Sequence, residues 1–257
     1  MNQLPANTGW LWIKQGYQYF KKQPMEFSTL FLGYLFFMLF LGIIPYIGQV
    51  VAFVLLPLFT LAFMQACKEI DQGVRVHPKL LFFAFRSPQA ARLVQLGSLY
   101  FIAALIALGA SSLIDGGVFW QVMSGQLSLT AKNIEGTNMM GAMLFAMLVY
   151  LPALMGFWFA GPLIAWQEMS LFKAVFYSFF ATIRATRAFL VYGLSWFILG
   201  GLIPTIVSVI IAAITGNPNL ILLMMMPFSM MLTIILYCSF YPTYKSIFDQ
   251  TAKSMIS

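Results

Sequence analysis

The chain has 257 residues, of which 61% are hydrophobic and 8% are charged, and its net charge is +7. Soluble domains carry about 25% charged residues, so this composition excludes an ordinary soluble globular domain. The positive charge does not indicate nucleic-acid binding, because the basic residues are scattered between hydrophobic segments and form no solvated basic face. We therefore predict a single integral membrane domain over residues 1–257 and no nucleic-acid partner.

Six hydrophobic segments predict an all-α polytopic membrane protein, because each has about the 20 residues that a helix needs to cross a ~30 Å hydrocarbon core. Short turns at 45–48 and 216–218 join the first two and the last two segments into helical hairpins. A longer polar loop, 115–138, joins the third and fourth segments. The predicted spans are residues 28–46, 48–67, 93–114, 139–166, 188–214 and 219–241.

The positions of Lys and Arg predict how the spans are oriented. All of these residues except Lys132 lie in the N-terminal arm, the second connection, the fourth connection or the C-terminal tail. Six spans place those four segments on one side of the membrane, and basic segments are retained in the cytoplasm. We therefore expect both termini to be cytoplasmic and the protein to lie in the bacterial inner (cytoplasmic) membrane.

Helices that lie on the cytoplasmic membrane surface are predicted before three of the spans. In the segment 9–22, apolar side chains recur at helical spacing and would form one face of a helix among the lipid headgroups. Segments 77–88 and 169–184 are also predicted to form surface helices. The alternative is that all three segments are cytoplasmic extensions of the spans. The residues of the first predicted face are Trp10, Ile13, Tyr17 and Phe20.

A surface helix followed by two spans recurs three times along the chain. The predicted repeats cover residues 8–70, 77–168 and 169–248. Internal repeats are common in transporters, but they also occur in purely structural bundles, so the repeat does not decide the function. Each inward span of a repeat contains a proline, and prolines can bend or interrupt a helix. The predicted helix hinges are Pro57, Pro152, Pro162 and Pro227.

The run MMMPFSMM at residues 224–231 raises the question of a soft-metal site. Thioether sites need several converging sulfur atoms, often with Cys or His. These methionines point around the helix, however, and the single histidine, His77, lies in a cytoplasmic connection. We interpret the run as flexible apolar filler beside Pro227 and expect no metal or other cofactor. Cys67 and Cys238 lie toward the reducing side and are expected to be free thiols.

Two stretches carry a resemblance to a known family: GWLWIKQGYQYFKKQP at residues 9–24 and MQACKEIDQGVRVHPKLLFFAF at residues 64–85. They resemble a family of bacterial inner-membrane proteins that has no established activity. That family is similar to the YciC-like proteins and to the membrane-anchoring domain of some glycerophosphodiester phosphodiesterases. The resemblance implies a six-helix integral membrane protein without catalytic residues, since the catalytic domain of the phosphodiesterases has no counterpart in this sequence.

The absence of charge inside the predicted spans argues against a proton-driven pump, and no nucleophile–base motif or phosphate loop indicates an enzyme. We expect a non-enzymatic protein that binds membrane lipids or assists a membrane-protein partner. The alternative is a carrier or channel for a neutral or amphipathic solute, with the proline-interrupted spans as gates. The candidate lipid-headgroup contacts are Trp10, Trp12, Lys14, Lys21, Lys22 and Arg86.

Overall fold

The computed structural model describes residues 4–45, 47–128, 130 and 136–256. The protein is 84% helical, and the described residues form no β-strand. Within them, six helical segments are long and apolar enough to cross a membrane, which confirms the predicted all-α fold with six transmembrane helices. These segments are Pro24–Gly42, Ile47–Asp71, Ala90–Asp115, Met139–Gln167, Thr186–Thr215 and Asn219–Phe248.

Several helices are longer than the predicted spans. An apolar run indicates where a helix crosses the membrane, whereas the helix itself continues into the polar residues beyond that run. The helices, in chain order, are α1 (Thr8–Lys22), α2 (Pro24–Gly42), α3 (Ile47–Asp71), α4 (Ala90–Asp115), α5 (Val118–Met123), α6 (Met139–Phe157), α7 (Ala160–Gln167), α8 (Leu171–Arg184), α9 (Thr186–Trp196), α10 (Ile203–Thr215) and α11 (Pro218–Ile256).

The connection after α3 differs from its prediction. Instead of one surface helix over residues 77–88, it contains two short 3-10 helices, Pro78–Phe82 and Ala84–Arg86. A proline disfavours helical geometry in the residue before it, and Ser87, which precedes Pro88, is extended with φ −68° and ψ 142°. The segment between Pro78 and Pro88 is therefore too short for a stable α-helix. The other two predicted surface segments form α1 and α8.

The chain forms two compact units. The first comprises the described residues of 1–43, 58–88 and 181–257, and the second comprises those of 44–57 and 89–180. Helix α3 contributes to both, because its residues up to Pro57 belong to the second unit and those from Leu58 onward belong to the first. The predicted single domain and the predicted threefold repeat stay predictions.

In the first unit, α1 packs against α9 and α11 rather than lying apart from them. Trp12 is only 1% exposed, and the ring centroids of Trp12 and Phe189 lie 5.1 Å apart. The indole Nε1 of Trp12 donates a hydrogen bond of 2.8 Å to Ser246 Oγ. Ile13 of the predicted apolar face packs inside the unit, whereas Trp10 and Tyr17 are exposed, so the position of that face among the lipid headgroups stays a prediction. The residues that α1 buries are Gly9, Trp12, Ile13 and Gly16.

Two glycines bring α1 close to its neighbours. A Cβ on Gly9 would lie 2.7 Å from the backbone nitrogen of Tyr192, and one on Gly16 would lie 2.8 Å from Cα of Ser239. Cβ atoms do not approach backbone atoms so closely, so any other residue would force the helices apart. Small residues at helix crossings are the usual means of close packing in membrane proteins. Gly9 and Gly16, which are seven residues apart, thus determine how closely α1 packs against α9 and α11.

In the second unit, α4 packs along α6 and the first part of α3. A Cβ on Gly97 would lie 2.7 Å from the carbonyl carbon of Val54, so this crossing also requires glycine. The ring of Tyr100 stacks on Phe157 with centroids 4.5 Å apart, and its hydroxyl donates to the Phe157 carbonyl oxygen at 3.1 Å. Aromatic stacking and a satisfied hydroxyl together hold the end of α6 against α4.

The fourth span is interrupted between α6 and α7. Ser178, which is buried on α8, accepts a hydrogen bond from the Phe159 N–H at 2.9 Å and donates one to the Met155 carbonyl at 3.0 Å. Its hydroxyl thus replaces the direct helical bond between residues 159 and 155, and side-chain insertion of this kind is a known cause of a kink. Pro162, which has no N–H, adds to the interruption.

The other predicted hinge prolines lie inside continuous helices: Pro57 in α3, Pro152 in α6 and Pro227 in α11. The fifth span has a different irregularity, a π-helical stretch at Phe197–Leu202 that leads into α10. Pro204 follows it and cannot donate to the backbone four residues earlier. A wider π turn accommodates such a missing bond, and it frequently marks a functional position.

Replacing Ser178 with alanine should destabilise the second unit. The Phe159 N–H and the Met155 carbonyl would each lose a hydrogen bond to the buried Ser178 hydroxyl, and one such bond contributes about 1 kcal/mol. The measurement is the thermal unfolding midpoint of Ser178→Ala in detergent, together with hydrogen exchange at the Phe159 amide. Ser98→Ala is the matched control, because the Ser98 hydroxyl bonds only to the Val94 carbonyl of its own helix. Equal midpoints for the two variants would contradict the bridging role of Ser178.

Candidate functional site

An open cleft of about 200 Å³ lies in the first unit, where the second half of α1 meets α11. Pockets for drug-sized ligands measure about 300–1,000 Å³, so this cleft suits a small polar group rather than a whole molecule of that size. Its walls carry two ammonium groups, two carboxamides and a phenol. The lining residues are Gln15, Gln18, Tyr19, Lys22, Pro242 and Lys245.

The carboxylate of Asp71, at the end of α3, holds both walls of the cleft. Its Oδ1 accepts a hydrogen bond of 2.8 Å from the Tyr19 hydroxyl on α1. Its Oδ2 accepts one of 3.2 Å from the Tyr241 hydroxyl and one of 2.5 Å from Lys245 Nζ, both on α11. One carboxylate thus connects three helices, and hydrogen bonds to an ionised acceptor are the stronger kind.

The two cleft lysines have different surroundings. Lys245 is paired with Asp71, and 46% of its side chain is exposed, so two of its three N–H donors can still face the cleft. Lys22 is exposed, with Nζ 5.6 Å from the centroid of the Tyr19 ring. Burial, followed by the hydrogen bond to Asp71, raises the pKa of Tyr19 above its usual value, so the phenol remains a protonated donor.

The structure separates the predicted headgroup contacts into three groups. Lys22 lines the cleft, whereas Lys14, Lys21 and Arg86 are exposed outside it. Trp10 is 39% exposed, and Lys14 Nζ lies 5.9 Å from its ring centroid.

The prediction for Trp12 needs correction. Its indole is enclosed between α1, α9 and α11, and its one N–H is used by Ser246, so it cannot reach a headgroup. Trp12 is a packing residue of the first unit.

Sequence reasoning missed most of the cleft. Gln15, Gln18, Tyr19 and Lys22 follow one another at intervals of three, one and three, which is the spacing of one helical face, and this pattern was visible in the sequence. Asp71 and Lys245 could not be found in that way. They are 174 positions apart and meet only because the end of α3 lies beside the part of α11 that carries Lys245.

The residues considered as metal ligands lie in different surroundings. Met224 and Met226 are exposed, and the hydrogen bond of Cys67 Sγ goes to the Cys238 carbonyl oxygen at 3.7 Å. Both cysteines are buried free thiols. Over the described part of the chain, no three His, Cys, Asp or Glu residues lie together in a group that could hold a metal ion. The interpretation of the methionine run as filler stays a prediction.

Comparison with known proteins shows that the chain is similar to a bacterial membrane protein. Over 254 residues the chain is 36% identical to a probable inner membrane protein of Burkholderia thailandensis, and the match covers 96% of this chain and 93% of that protein. No family model matches the chain. No solved structure matches it either.

Replacing Asp71 with asparagine should loosen α1 from the end of α3. The substitution keeps the side-chain shape but removes the charge that Lys245 and Tyr19 share, and we expect a loss of about 1 kcal/mol after allowing for solvent screening. The measurement is the thermal unfolding midpoint, with hydrogen exchange of the α1 amides as the local readout. Glu26→Gln is the matched control, since Glu26 pairs with Arg75, whose side chain is 75% exposed. Unchanged exchange in α1 would show that Asp71 does not tether this helix.

Proposed function

This chain belongs to the family of the inner membrane protein from Burkholderia thailandensis, and we propose that it is a non-enzymatic protein that binds anionic lipid headgroups at the cytoplasmic leaflet. The observation that carries this proposal is the set of exposed ammonium groups on α1. We extend the proposal to kinship with the YciC-like proteins and with the membrane-anchoring domain of glycerophosphodiester phosphodiesterases, on the strength of residues 9–24 and 64–85.

Helix α1 lies close to the membrane boundary because of its connection to the first span. Lys22 ends α1, and Pro24 begins the transmembrane helix α2, so only Gln23 separates them. Gln23 is held in place, since its Oε1 accepts a hydrogen bond of 2.8 Å from the Val76 N–H. The lysines at the end of α1 therefore lie within one helical turn of the first span.

The charge of α1 suits an anionic membrane surface. The segment Thr8–Lys22 contains Lys14, Lys21 and Lys22 but no Asp or Glu. A basic residue near an anionic leaflet contributes about 1 kcal/mol, so these three and Arg86 would contribute roughly 4 kcal/mol if their effects add. Trp10, at the other end of α1, is the type of side chain that prefers the interface between lipid and water.

Binding is a better proposal than catalysis because of the groups that line the cleft. Ammonium, carboxamide and phenol groups donate hydrogen bonds to an anion. A hydrolytic site would need an activated nucleophile or a positioned base, and the Asp71 carboxylate is already occupied by three donors. The proposal that the protein is not an enzyme rests on this chemistry.

Neutralising the exposed basic residues should weaken the retention of anionic lipid. We expect the variant with glutamine at positions 14, 21, 22 and 86 to retain far less phosphatidylglycerol than the wild-type protein, because it lacks roughly 4 kcal/mol of attraction. The measurement is native mass spectrometry of protein released from nanodiscs that contain phosphatidylglycerol and phosphatidylcholine. Arginine at the three lysine positions is the matched control, since it keeps the charge and should keep the lipid.

Two outcomes would redirect this proposal. Labelling of a single cysteine placed on α1 by a membrane-impermeant reagent, from the periplasmic side only, would contradict the cytoplasmic orientation. Equal retention of both lipids by the wild-type protein would contradict lipid recognition and favour the alternative function, a carrier or channel for a neutral solute. The specific observation for that alternative is the interrupted fourth span, because discontinuous helices form the substrate sites of many transporters.

A further inference from the structure

We propose that the cleft between α1 and α11 is a site for one monoanionic phosphodiester, the headgroup of a glycerophospholipid that carries neutral hydroxyl groups, as in phosphatidylglycerol. This inference rests on the proposed function and deepens it. The proposed function requires only a diffuse attraction between exposed lysines and the leaflet, whereas the cleft defines a discrete position and a chemical class.

The charges at the cleft match a monoanion. Lys22 and Lys245 supply two ammonium groups, and Asp71 compensates one of them through its pair with Lys245. The remaining positive charge is balanced by a phosphodiester, which carries one negative charge. A phosphomonoester at its second ionisation would leave one charge unbalanced.

The carboxamides of Gln15 and Gln18 favour the binding of a headgroup that carries hydroxyl groups. Each carboxamide offers two N–H donors and a carbonyl acceptor, and both side chains line the same wall of the cleft. A glycerol headgroup presents hydroxyls that donate and accept. An ethanolamine headgroup would instead place its ammonium group beside the ammonium groups of Lys22 and Lys245. These like charges repel each other.

The walls of the cleft are held in place before any ligand binds. Tyr19 and Lys245 are both hydrogen-bonded to Asp71, and Pro242, which lines the cleft from α11, is buried. Close docking of α1 on α11 at Gly16 determines the width between them. Such preorganisation lowers the entropy cost of binding.

The same chemistry could come from a lipid or from a water-soluble phosphodiester, and the position of the cleft favours the lipid. Lys22 lies two residues before the first span, and Lys245 lies in the last turn of the sixth, which ends at Phe248. A phosphate held between them is therefore at the depth of the headgroups. The acyl chains of a bound lipid can remain in the bilayer.

The experiment is a titration of the detergent-solubilised full chain with short-chain lipids, followed by native mass spectrometry to obtain the dissociation constant of the first bound lipid. The probes are phosphatidylglycerol, phosphatidylethanol (a monoanionic phosphodiester without headgroup hydroxyls) and phosphatidylethanolamine. We expect phosphatidylglycerol to bind most tightly. The variant Lys22→Gln/Lys245→Gln should weaken it about 30-fold, on the basis of about 1 kcal/mol for each lysine.

The matched control is Lys79→Gln/Lys173→Gln, which removes the same charge from exposed positions outside the cleft and outside the proposed headgroup contacts, and it should change the constant by less than about threefold. Lys245 also pairs with Asp71, so a second variant, Gln15→Ala/Gln18→Ala, tests the site without breaking that pair. This variant should abolish the preference for phosphatidylglycerol over phosphatidylethanol and leave the binding of phosphatidylethanol unchanged.

Each outcome has a definite meaning. Equal losses in the two lysine pairs would overturn the cleft site while leaving the proposed lipid attraction intact. No preference for any anionic lipid in the wild-type protein would overturn both. Tight binding of glycerophosphoglycerol, or of inorganic phosphate, with a constant equal to that of the lipid would overturn the assignment to a membrane lipid in favour of a soluble ligand.

Discussion

The close docking of α1 against α9 and α11 is the constraint on which the first unit depends. Glycines at positions 9 and 16 remove the Cβ atoms that would otherwise meet backbone, and Trp12 fills the space between them with a fully enclosed indole. Van der Waals packing of this kind must replace the hydrophobic effect wherever lipid is the solvent. Because α1 is held so closely, its polar face and α11 form a cleft rather than two separate helix surfaces.

Polar contacts also fix the relative orientation of these packed helices. Asp71 receives donors from α1 and α11 at the point where α3 ends, which fixes the rotation of these helices relative to each other. Ser178 has a similar role in the second unit, where its hydroxyl bridges the interruption in the fourth span. In both units a single polar side chain bonds groups from several elements, so its loss removes several hydrogen bonds at once.

The sequence was a good guide to the membrane-spanning segments and a poor guide to helix faces. Hydropathy located the spans to within four residues, except at the end of the sixth span, which extends seven residues further, because the cost of unsatisfied backbone in lipid leaves only helices as a solution for such runs. The face of α1 that packs inside the unit was not predicted, because the glycines at positions 9 and 16 were overlooked. A helix that docks through small residues does not reveal its buried face by hydrophobicity alone. The candidate site was predicted only in part: Lys22 was found, but Asp71 and Lys245 were not.

The class of protein and the number of spans follow from the amino-acid sequence alone, because burial in lipid acts on each hydrophobic segment separately. Which side chains meet depends on the tertiary structure. The Asp71 and Lys245 pair, the bridging of the fourth span by Ser178 and the burial of Trp12 all join residues that are far apart along the chain. Such contacts depend on how helices cross, and helix crossings are set by the fit of whole surfaces rather than by any local run of residues.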